Sequence, residues 1–336
     1  MNRTLSVVLS LVVLTAVAAT ATGPESKYRP PRTKDGHPDL QGVWNFASDV
    51  PLQRPAKFAD RKILTKEEFN AQRDAMRNVV GLITKFAPIE NVGLDWLDSK
   101  VYVDDLRTSL ITYPENGRLP ALIDGVRRNT GLDELLASLG DAGPNGPPPA
   151  ALGSLLASFA GSPKNSHTDF SRAARCLESI AIPIVPEFGS DNYVQIIQGR
   201  DHVALVMDFA RRIIALDANA SVPGKVRTST GTSKGHWDGD TLVVETRNFT
   251  ARTPGFAGAG NSRDKVVTER FTRTAAGIEY AATVVDPSTF KDRIELSFPM
   301  ARVDARIYEA TCHEGNYSLG NILSASRKQD EAQRTQ

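Results

Sequence analysis

Alternation of apolar and polar residues dominates the chain from residue 192 towards its C-terminus. Short runs of this kind, separated by turn-forming residues, are typical of antiparallel strands joined by tight connections. Eight runs fit the pattern: residues 192–198, 202–209, 211–217, 241–249, 264–273, 277–286, 293–300 and 305–312. Because no helical periodicity lies between them, the pattern predicts an antiparallel meander.

A closed barrel is the expected arrangement of these strands, since closure leaves no exposed sheet edge. Gly42-Val43-Trp44 begins a further short alternation, which is typical of a first barrel strand. We therefore expect a mainly β, lipocalin-like barrel built from residues of about 38–50 and 190–315. An open sheet or a sandwich is the alternative that the pattern leaves open.

The stretch between these two parts, about residues 60–170, has a different pattern. Residues 65–80 have helical spacing, with Thr65 as the N-cap and acidic residues in the first turn. The Pro- and Gly-rich tract 140–153 cannot form a core element. We expect a partly helical insertion that packs on the barrel or covers one end, within a single domain of residues 38–336.

The N-terminus predicts export. A short basic start, an apolar run and the small residues Ala19-Thr20-Ala21 form a secretory signal peptide over residues 1–21, followed by a polar linker over 22–37. The alternative is an uncleaved anchor. We expect a periplasmic or secreted protein with no membrane span in the mature chain, because no later stretch is long and apolar enough.

Charge and cysteine content bear on the partners of the protein and on a possible disulfide. The formal net charge of +1 argues against a nucleic-acid partner, which a basic excess would favour. Cys176 and Cys312 are the only cysteines, and two cysteines in an exported chain usually pair. We expect a Cys176–Cys312 disulfide, with a reactive thiol beside His313 as the alternative. The sequence leaves the oligomeric state open.

Several stretches, taken in order, resemble a large family of exported bacterial proteins whose members usually have no assigned function. They are DLQGVW (39–44), RTSL (107–110), RCL (175–177), GHWDGDTLVVETRNF (235–249), ERF (269–271) and YEATCHEGNY (308–317). Together they cover most of the mature chain. The resemblance implies an exported protein, lipocalin-like in fold, and assigns it no chemistry.

Two acids on predicted strands are candidates for chemistry. Glu269 shares a strand face with Val267 and Phe271, and Glu245 shares one with Val243. Each acid lies either on the wetted outer wall or inside the barrel with a partner, because a buried unpaired carboxylate would cost several kcal/mol. Inside, its pKa would be raised and it could act as a general acid or base. Candidate partners are Arg107, Arg247 and Arg270.

A second group of candidates surrounds the expected barrel mouth. His313 and Glu314 follow the last predicted strand and suit proton transfer near neutral pH, unless His313 only binds backbone. Arg107 is a candidate clamp for a substrate anion, or an ion-pair partner for a buried acid. The remaining candidates for substrate contact are Tyr308, Asn316 and Trp96.

No cofactor and no metal are expected. The five histidines lack ligand spacing, and the chain has neither a Gly-x-Ser-x-Gly elbow nor a phosphate-binding loop. We therefore favour an enzyme that performs cofactor-free acid–base chemistry on a small apolar or aromatic molecule, as a lyase, isomerase or hydrolase. The alternative is a carrier that binds an apolar ligand without changing it.

Overall fold

The architecture is a closed β-barrel, seen in a computed structural model. The structure describes residues 28–75, 101, 103–128, 166–167, 175–176, 182–186, 192–208, 210–216, 226–308, 314 and 316–334. Within them, ten strands form one sheet and nine of these close into a barrel. The predicted mainly β barrel is confirmed. The predicted signal peptide and much of the predicted insertion lie outside the described residues.

The strands follow one another around the barrel almost in chain order. Their bounds are β1 Gly42–Asn45, β2 Ile111–Tyr113, β3 Tyr193–Gln198, β4 His202–Val206, β5 Arg211–Ala215, β6 Thr232–Asp238, β7 Thr241–Arg247, β8 Val266–Arg273, β9 Ile278–Val285 and β10 Ile294–Val303. The barrel order is β1, then β3 to β10, and β10 pairs back with β1. β2 pairs with another part of β10.

Closure depends on the short strand β1. It pairs antiparallel with both β3 and β10, so that Trp44 lies opposite Val194 on one side and Arg302 on the other. The Trp44 side chain is fully buried, and its indole Nε1 donates to the carbonyl oxygen of Leu40 at 2.8 Å. A buried indole with its N–H satisfied is a stable way to anchor the strand that closes the barrel.

One strand pair departs from the predicted antiparallel meander. β5 and β6 run parallel, with Ile214 opposite Ser233, whereas the other strand pairs are antiparallel. The pattern had not predicted β6. Its inward-facing positions include Ser233 and Gly235, so the stretch TSKGHWD lacks the apolar alternation that reveals a strand.

The prediction of a last strand over residues 305–312 is wrong for residues 305–308, which are the part of it that the structure describes. β10 ends at Val303, and residues 304–308 have no regular secondary structure. One edge of β10 is occupied by β9, and the other edge is shared by β1 and β2. The closed barrel therefore leaves the stretch after β10 no free edge on which its alternation could be used.

The barrel interior is filled mainly by apolar side chains from the inward faces of the strands. Tyr280 forms the centre of an aromatic group, with its ring 5.1 Å from that of Phe271 and 4.8 Å from that of Phe298. All three side chains are fully buried. Aromatic pairs in tilted or edge-to-face contact add to the stability gained from burial.

The two ends of the barrel differ. We call one the Lys265 end: it contains the β7–β8 connection, residues 248–265, and the β9–β10 connection, residues 286–293. The other, the Trp237 end, contains the β6–β7 turn at Gly239 and the short β3–β4 turn.

Two α-helices are present among the described residues, and both lie outside the barrel. α1 begins at residue 66 and is described as far as residue 75. Thr65 forms a capping box with Glu68: Glu68 N–H donates to Thr65 Oγ1, and Thr65 N–H donates to Glu68 Oε2. The predicted N-cap is confirmed. The C-terminal helix α2, Ser318–Arg334, was not predicted. Among the described helices, none has the length and apolar character needed to cross a membrane.

Candidate active site

An ion pair lies inside the barrel, surrounded by apolar walls. Arg212 of β5 donates through Nη2 to Glu269 Oε2 of β8 at 2.5 Å, and their side chains are 2% and 0% exposed. Glu269 lies on the inward face of β8 between Val267 and Phe271, directly opposite the small Ala282 of β9. This position leaves room for a carboxylate where a larger neighbour would exclude it.

Further hydrogen bonds hold both members of the pair. The Arg212 guanidinium donates from Nε to Ser233 Oγ at 2.9 Å and from Nη2 to Thr246 Oγ1 at 2.6 Å. The Tyr280 hydroxyl donates to the other carboxylate oxygen, Glu269 Oε1, at 2.8 Å. Hydrogen bonds of this kind are what allow a buried ion pair to persist in a low-dielectric interior.

Lys265 brings a second positive charge to the same end of the barrel. It precedes β8, is 4% exposed, and its ammonium lies 4.6 Å from the ring centre of Phe249. Burial lowers the pKa of Lys265 from 10.5 to about 8, against the opposing influence of Asp286 and Glu269. At neutral pH roughly one molecule in ten would hold this amine uncharged, against fewer than one in a thousand for an ordinary lysine.

The cluster keeps two polar atoms without partners. Arg212 Nη1 and Asp286 Oδ2 are both buried, and neither has a hydrogen-bond partner among the described residues. Buried polar groups are nearly always paired, because an unsatisfied donor or acceptor is costly. A free donor and a free acceptor in the same barrel end are therefore available to a small polar group.

The chain covers this end with its own segment Ile182–Pro186. The Ile182 carbonyl oxygen accepts from Lys265 Nζ at 2.8 Å, and the Ile184 N–H donates to the Tyr280 hydroxyl oxygen at 2.9 Å. The Ile182 and Ile184 side chains are 5% and 1% exposed and belong to the barrel core. The segment therefore contacts both Lys265 and the ion-pair network.

This arrangement supplies the parts of an acid–base site. Lys265 can take up or release a proton near neutral pH. Tyr280 is a neutral hydrogen-bond donor, because burial, the charge of Glu269 and the hydrogen bond to it raise its pKa well above the usual range. The Arg212–Glu269 pair provides a fixed electric field whose orientation does not change during a reaction.

The two acids predicted on strands lie on opposite sides of the barrel wall. Glu269 points inward, while Glu245 is exposed on the outer face and pairs with Arg247. The partner of Glu269 is Arg212, which was not among the three arginines proposed. Arg270 pairs instead with Asp238 on the outer face.

Arg107 also lies away from the buried cluster. Its guanidinium binds Asp105 through Nη2 at 2.5 Å and the carbonyl oxygen of Ser297 at 2.9 Å, on the outer side of β10. The prediction that Arg107 pairs with Glu269 is therefore wrong. Its role as a substrate clamp stays a prediction that this position does not favour, because its donors are already engaged.

The candidates near the C-terminus are not brought to the cluster by the described residues. Tyr308 is 74% exposed and Glu314 is also exposed. Asn316 lies with its Nδ2 3.1 Å from Cys176 Sγ. Trp96, His313 and Cys312 lie outside the described residues. Their predicted roles, and the Cys176–Cys312 disulfide, stay predictions.

A separate cleft of about 260 Å³ lies at the Trp237 end. It is lined by polar side chains that include Gln41 and Gln198, and the ring of His37 stacks on that of Trp237 at 4.8 Å. The Gln198 amide is already bound to the backbone of residues 38 and 40. The cleft shares no residue with the buried cluster.

Metal binding has no support in the part of the chain that is described, where no three His, Cys, Asp or Glu side chains come together as a metal site.

Comparison with known proteins does not assign a function to the buried cluster. The chain matches no family model, no curated protein and no solved structure. The resemblance to exported bacterial proteins therefore stays a prediction, and the buried cluster is the feature of the molecule that points to a function.

Three residues of the cluster were missed by reasoning from the sequence: Arg212, Tyr280 and Lys265. In the stretch RRIIA each strand face carries one arginine and one isoleucine, so alternation cannot decide which pair faces inward. Tyr280 lies in a β-rich run, where an aromatic residue is expected to be an ordinary core residue. Lys265 precedes a strand, where a lysine is normally solvated. Its sequence signal is alternation, which in the predicted strand 264–273 places Lys265 on the same face as Glu269 and Phe271.

Proposed function

We propose that the protein is an exported enzyme that performs cofactor-free acid–base chemistry on a small apolar or aromatic molecule at the Lys265 end of its barrel. The observation that carries the proposal is the buried cluster of Arg212, Glu269, Tyr280 and Lys265 within otherwise apolar walls. Export and the Cys176–Cys312 disulfide belong to the same proposal and rest on the sequence.

The cost of the cluster supports a functional interpretation. Burying two charges costs several kcal/mol each, and apolar residues of similar volume often stabilise a core as well or better. A barrel that needed only stability would gain little from Lys265, whose charged form is destabilised by burial. Titratable groups with strongly perturbed pKa values, grouped at one end of a barrel, are characteristic of reaction sites.

The geometry favours Lys265, rather than Glu269, as the group that carries the proton. Both oxygens of Glu269 are engaged, one by Arg212 and the other by Tyr280. Lys265 Nζ is held by one backbone carbonyl group and has a pKa near neutral pH. The unpaired Arg212 Nη1 is a donor for a substrate oxygen on which negative charge develops.

Exchange of a carbon-bound proton is the simplest reaction that tests this proposal. In D2O, uncharged Lys265 would take a proton from the carbon beside the carbonyl group of a ketone, exchange it with solvent and return a deuteron. We expect the protein to accelerate deuterium uptake by small ketones such as acetophenone or cyclohexanone, followed by NMR. Lys265→Met should reduce the rate by at least about 100-fold, the usual contribution of a positioned base.

The matched control is Lys234→Met, which removes an exposed lysine from the outer face of β6. Its exchange rate should equal that of the wild type. If no ketone exchanges faster than in buffer, or if Lys265→Met and Lys234→Met behave alike, the enzymatic proposal fails. Retention of an apolar ligand by a protein without exchange activity would instead favour the carrier function.

A further inference from the structure

The segment Ile182–Pro186 binds the cluster through peptide groups. Its carbonyl group at Ile182 accepts from Lys265, and its N–H at Ile184 donates to Tyr280. The isoleucine side chains of both residues enter the core, and Val185 packs against it. The two side chains best suited to bind a substrate are thus occupied by the protein's own amide groups.

Proline content keeps this segment apart from the sheet. Pro183 and Pro186 have no backbone N–H, so the segment cannot add a regular strand to a barrel that is already closed. The hydrogen bonds described for this segment are made with the side chains of Lys265 and Tyr280 instead. Its other contacts with the barrel are made by buried apolar side chains. A separate molecule with the same groups could make the same contacts.

We propose that the Lys265 end is a binding site for an apolar amide ligand, and that Ile182–Pro186 occupies this site in the absence of that ligand. The ligand's carbonyl oxygen accepts from Lys265, its N–H donates to the Tyr280 hydroxyl oxygen, and branched aliphatic groups fill the places of Ile182 and Ile184. The inference rests on the proposed function, since it names the substrate class of that site.

An attached occupant competes strongly with a free ligand. A segment tethered beside its site acts at an effective concentration in the millimolar range or above. We therefore expect the wild type to bind such amides weakly. Weakening the contacts of the segment should increase the affinity for a free ligand, as removal of a competitor does.

The experiment uses the peptide Ile-Pro-Ile-Val-Pro-amide, which has the sequence of the segment and carries a fluorescein group at its N-terminus, and follows binding by fluorescence anisotropy. The variant Ile182→Ala/Ile184→Ala should bind it at least about tenfold more tightly than the wild type, because its own segment competes less well. In that background Lys265→Met should lose at least about tenfold in affinity, because the carbonyl group loses its donor. A peptide N-methylated at its second isoleucine lacks the N–H and should lose a similar factor.

Equal affinity for the methylated and unmethylated peptides, or equal binding by the wild type and the double variant, would overturn the inference. Should the double variant fail to fold, the peptides are titrated into the wild type at millimolar concentration by NMR, where the loss on methylation must still appear. Ketone exchange without peptide binding would contradict this inference and leave the proposed function standing. Peptide binding without ketone exchange would contradict the proposed function and leave this inference standing.

Discussion

Glu269→Gln should lower the free energy of unfolding by about 3–5 kcal/mol, the usual cost of removing one partner from a buried ion pair. The substitution keeps the shape of the side chain, but it removes the negative charge and replaces one of the two acceptor oxygens with an NH2 donor. Arg212, which is 2% exposed, would then keep a buried positive charge without a counter-ion. Urea denaturation at neutral pH measures the effect.

Two controls separate this explanation from a general intolerance of substitution. Glu245→Gln removes an acid of the same type from an ion pair on the outer face of the same barrel, where Glu245 and Arg247 are about half exposed. It should cost less than about 1 kcal/mol, as exposed pairs do. The double variant Arg212→Met/Glu269→Leu should recover much of the lost stability, because it removes both buried charges together.

A loss below about 1 kcal/mol for Glu269→Gln would contradict the buried ion pair, since that is the range of exposed pairs. Failure of the double variant to recover any stability would mean that Ser233, Thr246 and Tyr280 are left with unsatisfied groups whose cost equals that of the charges. The ion pair would still be present, but its net contribution to folding would be favourable rather than neutral.

The second large effect concerns the pH dependence of stability. The pKa of Lys265 is about 8 in the folded protein and 10.5 when unperturbed, so between these values the unfolded chain binds more protons than the folded one. The free energy of unfolding should therefore rise with pH across this window, by roughly 3 kcal/mol in all. The stabilisation is absent below about pH 8, where both states hold the proton.

Denaturation curves at about pH 7.5 and pH 9.5 test this dependence, because most ordinary tyrosines, with a pKa near 10, are still protonated at the upper value. Lys265→Met should flatten the rise, since the variant has no amine to titrate at this position. Lys234→Met should retain it. A rise of equal size in the wild type and in Lys265→Met would assign the dependence to other groups.

Much of the fold follows from the sequence because strand alternation is a local signal. The runs that form β3, β4 and β7 to β10 carry mostly apolar residues at every second position, and β5 is rich in β-branched isoleucine. The turns between most of these strands contain glycine or aspartate. β6 escaped prediction because its inward positions Ser233 and Gly235 serve hydrogen bonding and close packing. The failure at residues 305–308 has the opposite cause, since alternation was present but both edges of β10 were already occupied by other strands.

The sequence predicted one residue of the site, Glu269, as a candidate but not its partners, because local alternation does not show which distant residues meet. Alternation placed Glu269 on one strand face with Val267 and Phe271 but left open whether that face is the outer wall or the interior, and only the closed barrel shows that it faces inward. Alternation could not identify Arg212, 57 residues away along the chain, because the partner is selected by the three-dimensional closure of the barrel. The contact of Lys265 with Ile182, across 83 residues, has no local signal at all.

Titration of Lys265 by NMR shows whether this amine can act as a base near neutral pH. With lysine side chains labelled with ¹³C at Cε, the resonance that disappears in Lys265→Met identifies the residue, and its shift is followed from neutral to alkaline pH. We expect a midpoint near 8, because Lys265 is buried beside Phe249 and the barrel core. A midpoint near 10.5, the value for a solvated lysine, would contradict it, because Lys265 would then remain charged at neutral pH and could not act as a base.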